Sequence, residues 1–132
     1  MKRILVIDDE EMIRSFLRDL LVEEGYEVIT AGNGEEGLAL FDAEPADLVI
    51  TDIIMPVKDG LDTILELKKK APELPVIAIS AGGNIPKERY LAVAGYMKNT
   101  RTLAKPFTRD ELIRAVKEHL ESDEPSPEGL SL

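Results

Sequence analysis

Short apolar runs alternate along this chain with longer stretches whose apolar positions recur every three or four residues. Ile4 to Ile7 is the first run and predicts a buried strand. Residues 11–24 carry Ile13, Phe16, Leu17, Leu20 and Leu21 at helical spacing, and Gly25 predicts the end of that helix. "YEVIT" (26–30) predicts a second strand. "NGEEGLALFDA" (33–43) predicts a second helix with Asn33 as its N-cap, weakened by the internal Gly37. "DLVIT" (47–51) predicts a third strand. "DGLDTILELKKK" turns at Asp59-Gly60 and becomes a third helix, whose lysines suit the negative C-terminal end. "PVIAIS" (75–80) predicts a fourth strand and "AGGN" (81–84) a flexible loop. Pro86 suits the first turn of a fourth helix running to about Lys98. "RTLA" (101–104) predicts a short fifth strand. Thr108-Arg109-Asp110-Glu111 is a capping box opening a last helix, with Leu112, Ala115, Val116 and Leu120 as its apolar face.

Five successive strand–helix units with nearly continuous apolar strands imply a parallel sheet covered by helices on both faces. Right-handed crossovers then restrict the fold to a doubly wound α/β sheet. Its expected form is the flavodoxin-like (βα)5 with strand order 2-1-3-4-5. At 132 residues the chain suffices for one domain with a real core, assigned to residues 1–121. Residues 122–132, "SDEPSPEGLSL", are acidic and contain two prolines, and predict a flexible tail.

In such sheets ligands bind at the carboxyl ends of the strands, beside the point where the strand order reverses. Here that point lies between strands one and three. Strand one ends in Asp8-Asp9, strand three in Thr51-Asp52, strand four in Ser80 and strand five in Lys105-Pro106. Three carboxylates, a hydroxyl and an ammonium therefore meet at one edge. Like charges that close repel, so four acids in a row, Asp8, Asp9, Glu10 and Glu11, call for a reason. Either they serve a helix start, or they hold something positive.

Composition narrows the classes. There are no cysteines, which excludes thiolate metal sites and a Cys nucleophile and fits a reducing, cytoplasmic setting. No apolar run approaches the ~20 residues that a membrane helix needs. A net charge of −10 argues against non-specific nucleic-acid or anionic-membrane partners.

The pieces "VIDDE", "DLVITDIIMPVKDG", "PVIAIS" and "LAKPF" stand in an order and at a spacing that resemble a response regulator receiver domain, over residues 2 to about 121. The resemblance implies that Asp52 accepts a phosphoryl group as a carboxylate nucleophile. It implies Mg²⁺ held by Asp9 and Asp52, by Asp8 through water, and by the backbone carbonyl of Ile54. Lys105 would pair with a phosphoryl oxygen and Ser80 would hydrogen-bond another. Pro106 is a candidate for a cis peptide, and Ile54 and Gly82 would border the path of the attacking water. The implied partners are a histidine kinase or a histidine phosphotransfer protein, and a downstream protein docking on the face of the fourth helix, fifth strand and last helix. Two features depart from the family pattern. Thr102 stands where many receivers carry a Tyr or Phe switch ring, and "MKNTRT" lacks the usual Gly-Ala.

Each residue also has a plainer reading. Asp8 or Asp9 alone would suit a helix cap, Asp52 a turn, Lys105 a solvated lysine and Ser80 a loop start. Asn33, Thr108, Asp59-Gly60 and His119, the only histidine, read as structural. Two other functions compete. A haloacid-dehalogenase-type phosphohydrolase needs Asp-x-Asp after strand one, but Glu10 follows Asp9 here. A phosphorylation-independent interaction module would not need the complete acid set and Lys105.

Overall fold

The computed structural model describes residues 1–53, 60–80 and 98–121. Five parallel strands form one sheet: β1 (Arg3–Ile7), β2 (Glu27–Ala31), β3 (Leu48–Asp52), β4 (Val76–Ser80) and β5 (Thr100–Ala104), in the order β2-β1-β3-β4-β5. The doubly wound fold expected from the alternation is the one observed. Four helices are described: α1 (Glu11–Glu23), α2 (Gly34–Ala43), α3 (Gly60–Lys70) and α4 (Arg109–Glu121). The expected fourth helix from Pro86, the "AGGN" loop and the tail lie outside the described residues. None of the helices among the described residues is long and apolar enough to cross a membrane.

Alternation along the strands divides the core between the two faces. Leu5, Ile7, Val49, Val76 and Ala78 pack with Leu38 and Phe41 of α2 and Ile64 and Leu67 of α3. Ile4, Val6, Leu48, Ile50, Ile77, Ile79 and Leu103 pack with Leu17, Leu20 and Leu21 of α1 and Leu112, Ala115 and Val116 of α4. Two buried faces explain why the strands read as unbroken apolar runs. Gly25, at φ 97°, closes α1, and the N–H groups of Glu24, Gly25 and Tyr26 bond back to Leu21 and Val22. Asn33 accepts from the Glu36 N–H, as its N-cap assignment requires. The Thr108 and Glu111 side chains accept reciprocally from each other's backbone N–H, a complete capping box.

Two expectations change. Phe16, placed in the buried stripe of α1, is 53% exposed. It stands one turn before Leu20 and lines, with Ile13, Pro106 and Phe107, an open cavity beside the loop that follows β5. The lysines closing α3 do not all serve the helix end through solvent. Lys68 is buried, and its ammonium donates to the carbonyls of Leu74, at 2.6 Å, and of Lys98. It ties the end of α3 to the turn that enters β5.

Candidate functional site

Parallel pairing puts the ends of β1, β3 and β5 on one edge of the sheet. Ile7 of β1 lies opposite Thr51 of β3, so the residues that follow, Asp8 and Asp52, leave the sheet side by side. Oxygen atoms of Asp8, Asp9 and Asp52 lie within 4.8 Å of one another. Asp8 and Asp52 are buried and Asp9 is exposed, so the cluster opens to solvent on the Asp9 side. Lys105, just past β5, reaches Asp52 Oδ2 at 3.7 Å and is half-buried. The Lys105–Pro106 peptide bond is cis.

Asp8 is not the cap of α1. The N-cap is Glu10, whose side chain makes no capping bond. Asp8 Oδ1 instead accepts from the Glu10 N–H at 2.9 Å, closing a tight turn between strand and helix. Its other oxygen, Oδ2, is buried and has no hydrogen-bond partner among the described residues. Burial pushes the Asp8 carboxyl above the usual carboxylate range. The Glu10 N–H opposes that shift, the Asp52 charge adds to it, Lys105 opposes it, and Asp9 adds a little more. An orphaned buried oxygen within reach of two further carboxylates is a donor set of hard oxygens, the set that suits a small divalent cation such as Mg²⁺. The residues present fit that group.

Other expected site residues are placed less fully. Ser80 ends β4 opposite Ala104, which puts its backbone on the same edge. Its side chain, like the Ile54 carbonyl and Gly82, lies outside the described positions. Thr102 on β5 pairs with Ala78 of β4 and is exposed on this edge strand.

Two residues beside the acids escaped the sequence reading. Gly60, read as a turn glycine, begins α3 against the backbone of Asp52. A Cβ there would stand 2.1 Å from the Asp52 carbonyl oxygen and 2.6 Å from Ile53 Cα. Its N–H donates to the Ile53 carbonyl at 2.6 Å. The available signal was the "DG" eight residues beyond Asp52. Arg14 donates from Nη1 to the Asp8 carbonyl at 2.7 Å. It lies on the line of Leu17 and Leu21, at the i, i+3, i+7 spacing of the buried stripe, where a merely solvated arginine is out of place.

Residues 4–117 match the family described as response regulator receiver domain. The chain is 37% identical over 124 residues to the transcriptional regulatory protein GlrR of Escherichia coli (strain K12), covering 93% of this chain and 27% of GlrR. It thus spans about a quarter of that relative's length. Among solved structures, a response regulator receiver domain protein from Clostridium thermocellum superposes with a TM-score of 0.81 at 32% identity, over 94% of this chain and 98% of that one. The response regulator protein TrrA from Thermotoga maritima, in complex with Mg(2+)-BeF, superposes with a TM-score of 0.77 at 41% identity, over 91% of this chain and 100% of that one.

Proposed function

The chain belongs to the response regulator receiver domain family, and from that premise we propose that its acidic edge is a phosphoryl-accepting site with Asp52 as the acceptor. The observation that carries this reading is the meeting of Asp8, Asp9 and Asp52 within 4.8 Å, with Lys105 3.7 Å from Asp52. Asp52 is the member that touches both the acids and the lysine. In the transfer, an Asp52 oxygen attacks phosphorus, the bond from phosphorus to the donor's imidazole nitrogen breaks, and the imidazole leaves with the electron pair and takes up a proton. Asp9 and Asp52 would hold Mg²⁺ directly and Asp8 through water, with the Ile54 carbonyl as a further ligand. Bound there, the ion supplies the positive charge that lets a carboxylate approach an anionic phosphoryl group. Lys105 swings its ammonium from Asp52 to a phosphoryl oxygen as negative charge builds on that group. Ser80 would donate to another oxygen, and Ile54 and Gly82 would border the route of water to the acyl phosphate.

On this reading residues 1–121 are the receiver and 122–132 an acidic tail. A histidine kinase or histidine phosphotransfer protein loads Asp52, and small phosphodonors load it slowly. The output is a protein contact on the face that includes β5 and α4, with Thr102 in place of a switch ring. A cysteine-free chain fits the reducing cytoplasm. Support for the cation also comes from TrrA, whose solved structure is a complex with Mg(2+)-BeF.

The test is incubation with acetyl phosphate and Mg²⁺. Wild type should acquire one hydroxylamine-sensitive phosphoryl group, and Asp52→Asn none, with an unchanged fold by circular dichroism. Equal labelling of Asp52→Asn overturns the assignment of the acceptor. Rapid multiple turnover points instead to a phosphohydrolase, and no labelling of wild type to an interaction module.

A further inference from the structure

A cation bound by three carboxylates needs each of them presented at a fixed place, and Asp8 is fixed by three contacts. Its N–H donates to the Ala31 carbonyl at 3.1 Å. Its Oδ1 accepts from the Glu10 N–H. Its carbonyl accepts from Arg14 Nη1 at 2.7 Å. The first two are bonds to the main chain. The third is a side chain reaching back from α1 across the turn that carries Asp8 and Asp9.

Little else holds that turn. Asp9 is exposed, and Glu10 caps α1 without a side-chain bond. A backbone bond at the start of the helix runs from the Arg14 N–H to the Glu10 carbonyl, at 3.0 Å. Arg14 therefore grips the turn twice, by its backbone at Glu10 and by its guanidinium at Asp8. The guanidinium also rests against the loop after β2. A Cβ on Gly32 would stand 3.4 Å from Nη1 and 3.5 Å from Glu36 Oε1, ordinary contact distances that place both side chains beside this glycine. Glu36 in turn accepts from the Gly32 N–H at 2.7 Å. The ends of β1 and β2 and the starts of α1 and α2 are thereby joined around one arginine. The charges acting on the Asp8 carboxyl are those of Asp52, Lys105 and Asp9. Arg14 meets the residue at its other end, through the main-chain oxygen.

We propose that Arg14 is a positioning residue for the cation: by holding the Asp8 carbonyl it fixes the direction in which the Asp8 carboxylate faces Asp9 and Asp52, and so sets the Mg²⁺ affinity of the site. The inference rests on the metal site proposed above. Groups that orient ligands in this way typically change metal affinity by about 10- to 100-fold when removed.

The experiment is a Mg²⁺ titration of the full chain, followed by amide chemical shifts, for wild type, Arg14→Met, Arg14→Lys, Asp8→Asn and the double variant Asp8→Asn/Arg14→Met. Methionine keeps much of the stem and loses the donor; lysine keeps a donor and the charge. Arg14→Met should raise the Mg²⁺ dissociation constant about tenfold, with Arg14→Lys nearer to wild type. In the Asp8→Asn background, Arg14→Met should add less than about twofold, because an effect exerted through Asp8 is already lost. A wild-type dissociation constant in Arg14→Met overturns the role of Arg14 while leaving the metal site standing. So does a full additional loss in the double variant, which would assign Arg14 an effect independent of Asp8. Absence of any Mg²⁺ binding by wild type overturns the metal site itself, and the role of Arg14 with it. If Arg14→Met does not fold, Arg14→Gln, which shortens the side chain and removes the guanidinium, is titrated in both backgrounds with the same expected and overturning results.

Discussion

Asp8 and Lys68 are both buried charged residues, and only one of them could be singled out from the sequence. Asp8 stands where a strand ends, a position that is legible because the apolar run stops there. Lys68 sits in a run of three lysines at a helix end, where solvation is the ordinary outcome. Its burial depends on the approach of Lys98, thirty residues away, which no local pattern records. Burial holds Lys68 at a pKa of about 8, below its ordinary 10.5; the Glu73 charge opposes the shift and Lys98 adds to it. Between pH 8 and 10.5 the unfolded chain keeps this proton and the folded chain gives it up. The unfolded state then binds more protons, so stability from this group rises with pH across that window. A neutral amine still has two N–H donors for the two carbonyls. Lys68→Met removes this dependence. It also strands the Leu74 and Lys98 carbonyls, at about 1–3 kcal/mol, while sparing a desolvation cost of roughly 3 kcal/mol at neutral pH. These terms oppose each other, so the decisive quantity is the trend. Urea unfolding at pH 7.5 and pH 10 should show wild type gaining stability relative to Lys68→Met as pH rises. An unchanged difference, or wild type losing stability relative to Lys68→Met as pH rises, would remove Lys68 as a buried amine.

At the scale of elements, all four described helices and all five strands were legible, with boundaries shifted by a residue. Apolar period and punctuation suffice for that: Gly25, Asn33 and the Thr108–Glu111 box each act where the pattern places them. Glycines inside and at the start of helices were misread, because their reason lies across the fold. Gly37 weakened the second helix on propensity alone, yet α2 rests so close to β1 that a Cβ would stand 2.4 Å from Ile7 Cδ1. Gly60 is tighter still, and what it meets is backbone. A side-chain tip can turn aside; the Asp52 carbonyl and Ile53 Cα cannot without moving the acceptor. Alanine gains about 1 kcal/mol of helix propensity over glycine in a helix interior, against about 1–3 kcal/mol for overpacking. Gly37→Ala should therefore lose about 1 kcal/mol. Gly60→Ala, at the first turn where propensity counts least, should lose more than 2 kcal/mol. Only Gly60→Ala should also slow phosphoryl labelling of Asp52, since only it displaces that backbone. Chemical unfolding together with acetyl phosphate labelling checks both. A larger stability loss in Gly37→Ala, or normal labelling in a folded Gly60→Ala, would contradict this account of the α3 contact.

The chain carries a net charge of −10, and among the described residues one cluster of acids is set by topology. Strand order brings Asp8 beside Asp52, and the turn adds Asp9, with Lys105 as the nearby cation. The unfolded chain separates Asp52 from the other two acids by more than forty residues, so their repulsion falls mainly on the folded state. At Asp8 the cost of burial adds to it. Its folded pKa is raised above 3.8, first by burial, so the folded chain holds this proton more tightly than the unfolded chain does. Stability from Asp8 is thus present at low pH and lost as pH rises through the folded pKa. At neutral pH the ionised carboxylate is a net cost. Asp8→Asn removes the charge and keeps the Oδ1 acceptor for Glu10. It should stabilise the metal-free protein by on the order of 1 kcal/mol, one like-charge contact at a screened site, or about 4 °C in melting temperature. Mg²⁺ should act on wild type in the same direction by a different route. Binding only the folded state, it adds about 2.7 kcal/mol at a hundredfold excess over its dissociation constant. Asp8→Asn should respond far less, having lost a ligand. Four thermal melts decide the matter: wild type and Asp8→Asn, each in chelator and in Mg²⁺. In chelator the variant should melt higher, and in saturating Mg²⁺ the order should narrow or reverse. A variant that melts lower in chelator would make Asp8 a structural acid whose turn outweighs its charge. Equal Mg²⁺ responses would show that the cation, if it binds, does so without Asp8.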